Sequence, residues 1–203
     1  MANKYGFLLR VDNYTVPGLR IGVSGYAGQS MHNNIPHDSE RGEKKKIKGN
    51  VYVGSVDFTY NRYNWIVRGN ADYGYVSDAN KISQLTYPNV QYVKPYQSGN
   101  GKNFGSHAMA MMLEAGYDVF SQIKKLRSDN QKLYIFGHIE HYDSYVHGTT
   151  KQWTNKTIFA GGVNYHPVPQ IAIKAEYHYR KLKSGYNDEP SVNIGIAYEG
   201  FFL

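Results

Sequence analysis

Apolar and polar residues alternate along most of this chain, in segments long enough to define two different faces. In 171–182, Ile171, Ile173, Ala175, Tyr177 and Tyr179 fall on one side, and Ala172, Lys174, Glu176, His178 and Arg180 on the other. In 64–76, Trp65, Val67, Ala71, Tyr73 and Tyr75 oppose Asn64, Arg68, Asn70 and Asp72. In 4–12, Tyr5, Phe7, Leu9 and Val11 oppose Gly6, Leu8, Arg10 and Asp12. In 191–203, Val192, Ile194, Ile196, Tyr198 and Phe202 oppose Ser191, Asn193, Gly195, Ala197 and Glu199. A period of two is the signature of β-strands with one apolar face. The pattern predicts further strands over 19–29, 50–61, 106–119, 132–146 and 156–166, so nine in all. The segment 106–119 contains good helix formers, among them Met109, Met111, Met112 and Leu113. Its alternation of Met111, Leu113, Ala115, Tyr117 and Val119 against Met112, Glu114, Gly116 and Asp118 favours a strand.

The connections alternate as well. Short ones fall at 13–18, 62–63 and 167–170, with one of middling length at 121–131. Longer ones fall at about 30–49, 78–105 and 147–155, with a short one at 184–190. Short turns on one side and longer loops on the other is the arrangement of an outer-membrane β-barrel. Pro17, Pro167 and Pro169 sit in the short turns, where a missing N–H costs no ladder bond.

Composition fits this picture better than that of a soluble domain. The chain has 203 residues, 20 Tyr and 21 Gly, yet only 41% hydrophobic residues. Mean hydropathy is −0.58, but a barrel strand needs an apolar residue only at every second position, so averaged hydropathy misses it. No apolar run approaches the roughly 20 residues of a spanning helix. Tyr has an apolar ring and a polar tip, which suits a boundary between lipid and water. Tyr14, Tyr60, Tyr63, Trp65 and Tyr165 cluster near the short turns, and Tyr73, Tyr75, Tyr142, Tyr145, Tyr177 and Tyr179 toward the other side, as two aromatic girdles would. With no cysteine, disulfides and thiolate metal sites are excluded.

The net charge of +7 raises nucleic acid as a partner. Much of the excess is local, in Lys44, Lys45, Lys46 and Lys48, and no nucleic-acid motif is present. That run reads as a solvated external loop, able to meet anionic lipopolysaccharide. No basic-then-apolar leader opens the chain. Nine strands would start the chain on the long-loop side, and single-chain barrels keep even strand numbers. The expectation is therefore the C-terminal part of a larger, antiparallel all-β transmembrane barrel, forming one domain over 1–203.

The polar face gathers Arg10, Asp12, Arg20, Asp57, Arg68, Asp72, Glu114, Asp118, Glu140, Lys174, Glu176, His178, Arg180 and Glu199. In a wide barrel these line water and set field and width; in a narrow one they pair as an inner salt-bridge network. Their mixed signs speak against strong anion selectivity. His138-Ile139-Glu140-His141 suggests a metal cluster, but a strand puts His138 and His141 on opposite faces and leaves too few ligands for zinc. No metal or cofactor is expected. No Ser-His-Asp arrangement with a nucleophile elbow appears, so no enzyme is expected.

Four stretches carry a family resemblance. They are Gly18-Leu19-Arg20-Ile21-Gly22-Val23-Ser24-Gly25-Tyr26, Asn64-Trp65-Ile66-Val67-Arg68-Gly69, Ile173-Lys174-Ala175-Glu176-Tyr177, and 193–203. There the chain resembles the C-terminal half of Bacteroidetes outer-membrane porin-like proteins. The resemblance implies a barrel larger than this chain, placement in the bacterial outer membrane, no catalysis, and diffusion of small hydrophilic solutes. The last strand resembles the signal read by barrel-assembly machinery, with Asn193, Gly195, Tyr198, Phe202 and Leu203 as its letters. Gly200 departs from that pattern, and Leu203 stands where Phe is usual. Two other readings remain open: a structural or surface-interaction barrel with a closed lumen, and a soluble Tyr-rich β-sandwich.

Overall fold

The computed structural model describes residues 5–29, 49–79, 105–146, 154–182 and 188–199. They form one antiparallel sheet of nine strands in sequence order. The strands are β1 (Gly6–Asn13), β2 (Leu19–Gln29), β3 (Asn50–Arg62), β4 (Trp65–Val76), β5 (His107–Asp118), β6 (Lys132–Asp143), β7 (Asn155–Val168), β8 (Ile171–Leu182) and β9 (Glu189–Tyr198). Every strand pairs with its sequence neighbours, and β1 and β9 are the two edges. The strands fall within a few residues of the segments that alternation predicts. The Met-rich segment is β5, because alternation of burial against two neighbours outweighs helix propensity. The large loops at 30–48 and 80–104, including the lysine run, lie outside the described residues, as do Phe202 and Leu203.

Register is continuous across the sheet. Arg10 pairs with Ser24, Ser24 with Ser55, Ser55 with Asp72, Asp72 with Ala110, and Ala110 with Tyr142. Cross-strand partners share a face, so one chain of partners fixes the facing of every residue. One irregularity interrupts it, between Tyr165 and Val168 on β7. The extra residue is a bulge beside Pro167, which has no N–H to give the ladder.

The connections explain the hairpins. β3 and β4 are joined by Tyr63 and Asn64, both at positive φ (55° and 66°). A two-residue turn with both residues left-handed matches the twist of the flanking strands. Gly18, at φ 83°, closes the β1–β2 turn, and its carbonyl accepts the Asn61 N–H at 2.7 Å. The 119–131 connection is more ordered than a plain loop. It holds a 3-10 helix, Val119–Gln122, and a short α-helix α1, Lys124–Ser128. Asp118 caps the first by accepting the Phe120 N–H at 3.1 Å, and also accepts the Leu133 N–H at 3.1 Å.

The described residues form no apolar core. Among the described residues the one buried hydrophobic side chain is Ala79, while Phe7, Leu9, Val192, Ile194 and Ile196 are each more than two-thirds exposed. No second sheet covers them among the described residues, so the β-sandwich expectation finds no partner layer.

Candidate functional site

The register sorts side chains by chemistry. One face carries Phe7, Leu9, Val11, Ile21, Val23, Val56, Phe58, Val67, Met111, Leu113, Ile135, Ile139, Phe159, Val163, Ile173, Ile194 and Ile196. Its charged residues, Arg62, Asp143 and Lys181, sit only at strand ends. On this face the aromatic residues fall in two bands. Tyr60, Trp65, Tyr117, Tyr165 and Tyr198 lie near the short turns, with the Trp65 and Tyr117 rings 4.9 Å apart. Tyr52, Tyr73, Tyr75 and Tyr179 lie near the long-loop ends, where Tyr52 stacks on Tyr75 at 6.2 Å. From Trp65 to Tyr75 is ten residues along β4. At about 3.3 Å per residue and a tilt of about 45°, that is about 23 Å of height, close to the ~25 Å apolar band of an outer-membrane barrel. Tyr142 does not belong to the outer band. It shares the face of Glu140, and the Lys156 ammonium lies over its ring at 5.6 Å.

The opposite face receives every charged strand residue that alternation assigned to it: Arg10, Asp12, Arg20, Asp57, Arg68, Asp72, Glu114, Asp118, Glu140, Lys174, Glu176, His178 and Arg180. Glu199, just past β9, lines the cavity on that face. It also receives His138, which shares it with Glu140, and Lys132, Lys156, His166 and Glu189, which were not singled out from sequence. The face is concave. A cavity of about 570 Å³ is lined by Ile66, Glu114, Tyr134, Asn164, Lys174 and Ala197, one residue from each strand β4 to β9. A flat sheet would hold β4 and β9 about 24 Å apart, at about 4.8 Å per strand, and would enclose nothing.

Two side-chain groups organise this face. The first is a closed ring of four charges near the short turns. Arg10 bonds Asp12 at 2.8 Å and Asp57 at 2.9 Å, and Arg20 bonds Asp12 at 2.9 Å and Asp57 at 2.5 Å. The ring closes over Gly22, which lies between Asp12 and Asp57 on the neighbouring strands. A Cβ at Gly22 would stand 2.2 Å from Arg10 Nη2. Other strand glycines differ in their surroundings. Gly69 and Gly162 are tightly approached, whereas Gly54, Gly137 and Gly195 face open space.

The second group runs from Arg68 to Arg180. Arg68 reaches Glu114 at 3.6 Å, and His138 lies 3.9 Å from Glu114 and 3.4 Å from Glu140. His178 bonds Glu176, and Arg180 pairs with Glu189. The His138 and His178 rings are 6.5 Å apart across Ala160. His141 points to the apolar face, where it meets Thr157 at 3.0 Å. Among the described residues no three His, Asp or Glu side chains are grouped to hold a metal. Asp118 is buried on the polar face, with its carboxylate taken by the backbone.

On the last strand, Asn193 and Gly195 lie on the polar face and Tyr198 on the apolar one, paired with Ile171.

No family model matches the chain. An uncharacterized protein of Aquifex aeolicus is 28% identical over 198 residues, covering 96% of this chain and 40% of that protein. Among solved structures, the chain is similar to a loop L8 deletion mutant of OmpT, an outer membrane protein of Vibrio cholerae. The TM-score is 0.52 at 15% identity, over 97% of this chain and 54% of the other. The fold is that of an outer-membrane β-barrel. The nine strands make an open portion of one, and the chain spans less than half the length of the Aquifex relative.

Proposed function

We propose that this chain is part of a porin-like channel of the bacterial outer membrane, passing small hydrophilic solutes by diffusion. The observation that carries the reading is the division of the sheet into an uninterrupted, exposed apolar face and a concave face holding the charges. Lipid is the solvent that suits the first, since exposed Phe7, Leu9, Ile194 and Ile196 would be costly in water. Water is the solvent that suits the second, since Arg68, Glu140, Lys174 and Glu176 would be costly in lipid. Transport of this kind needs no bond chemistry, and the charged residues act through field and width alone. The residue stretches quoted above favour the Bacteroidetes porin-like type. Bilayer lipid and lipopolysaccharide would contact the apolar face. Barrel-assembly machinery would read Asn193, Gly195 and Tyr198, together with Phe202 and Leu203.

The Arg10–Asp12–Arg20–Asp57 ring favours a second reading, in which cross-linked charges fill a narrow, closed lumen. Planar-bilayer recording of the full-length protein separates the two. Stepwise ohmic conductance is expected, and conductance no higher than that of protein-free bilayers would sink the channel reading.

A further inference from the structure

We infer that the short-turn mouth of the polar face holds a subsite for small oxyanions, carboxylate or phosphate, built by Lys132, His166 and Lys174. It rests on reading this face as a water-filled lumen, and does not depend on solutes passing through. Lys132 on β6 lies directly opposite His166 on β7, and Lys174 on β8 lies directly opposite Asn164, the next residue of that face. All four line the 570 Å³ cavity, with Arg68. That volume falls within the ~300–1,000 Å³ of small-molecule sites. The bulge beside Pro167 follows His166 directly, so the strand bends beside the cross-strand partner of Lys132.

Charge pairing makes this corner different from the rest of the face. Arg10, Arg20, Arg68 and Arg180 each have a carboxylate partner. Among the described residues, no carboxylate lies within ion-pair distance of Lys132 or Lys174. Two acids line the cavity. Glu114 is engaged by Arg68 and His138, and Glu199 follows β9, its backbone N–H donating to the Gln170 carbonyl at 2.8 Å. Lys132, Lys174 and Arg68 therefore face two carboxylates, Glu114 and Glu199, and Glu114 is already engaged by Arg68 and His138. Neighbouring ammonium groups without counter-charges repel, and a bound oxyanion relieves that repulsion. The mixed charge of the whole face still opposes strong anion selectivity; the excess is local to this mouth.

The test is calorimetric titration of detergent-solubilised full-length protein at low ionic strength, with inorganic phosphate and, in parallel, citrate. Saturable binding is expected, weakened about tenfold or more in K132Q/K174Q, since two charges near the anion are lost. K156Q, on the same face near the long loops, should bind as the parent does. K174R keeps the charge and should retain binding, which separates lost charge from misfolding in the double variant. Phosphate alone binding points to phosphorylated solutes, and citrate alone to carboxylates. No binding of either anion, or equal binding by K132Q/K174Q, overturns the subsite. Lysine-dependent binding by a protein that conducts no ions upholds the subsite and removes the channel reading. Conductance without binding does the reverse.

Discussion

The Phe58 ring lies over Gly69, its direct cross-strand partner, with Cε1 2.4 Å from where a Cβ would stand. The pair sits on the apolar face between β3 and β4. An aromatic ring laid on a glycine shields a bare stretch of ladder and fixes register through shape. Met112 O lies 3.2 Å from the same point, so the backbone of β5 also crowds a Cβ there even if the ring moves. G69A should destabilise the folded protein by about 1–3 kcal/mol, as overpacking does. F58L/G69A should recover part of that loss, because the two residues are coupled through contact. Urea midpoints in lipid vesicles, read by heat-modifiable migration on gels, check both. An unchanged midpoint for G69A would remove the close approach.

The β3–β4 turn makes a backbone prediction. Asn64 holds φ 66° with a side chain that tolerates the left-handed region, whereas a β-branched residue does not. N64V should cost about 1–2 kcal/mol, and N64G should match or exceed the parent. The same midpoints decide it, and equal midpoints for N64V and N64G would contradict a turn with two left-handed residues.

Charge placed on either face separates lipid from water. Ile139 lies mid-strand on the apolar face, and Met112 lies on the polar face directly opposite Glu140. I139R should cost about 2–4 kcal/mol, the range for a cation on the lipid side near the bilayer centre. M112R should cost under about 1 kcal/mol, because a long cation there reaches water and an acid. Equal losses from the two variants would mean that the faces do not differ in solvent.

Much of this was legible from sequence because a strand has a period of two. The parity that joins Lys174, Glu176, His178 and Arg180 on one side also assigns each remaining strand. Lys132 was legible too, since it shares parity with Glu140 on β6, and Tyr142 on the same parity belongs inside rather than in a girdle. Glu189 was missed because β9 begins two residues earlier than alternation suggested. The charge ring was not legible. It needs Gly22 between Asp12 and Asp57, and that juxtaposition depends on how β1, β2 and β3 are staggered. The helices after β5 were hidden because Asp118 was read only as a face residue, whereas its carboxylate also caps the turn that follows.

The central claim is that one face of this sheet meets lipid and the other meets water. The chain has no cysteine, so single thiols introduced along β8 report one position at a time. Labelling of the outer-membrane-inserted protein with a membrane-impermeant maleimide tests the claim most directly. Modification is predicted at 174, 176, 178 and 180, with protection at 173, 175, 177 and 179. Uniform labelling along β8, or protection at the even positions, would contradict it.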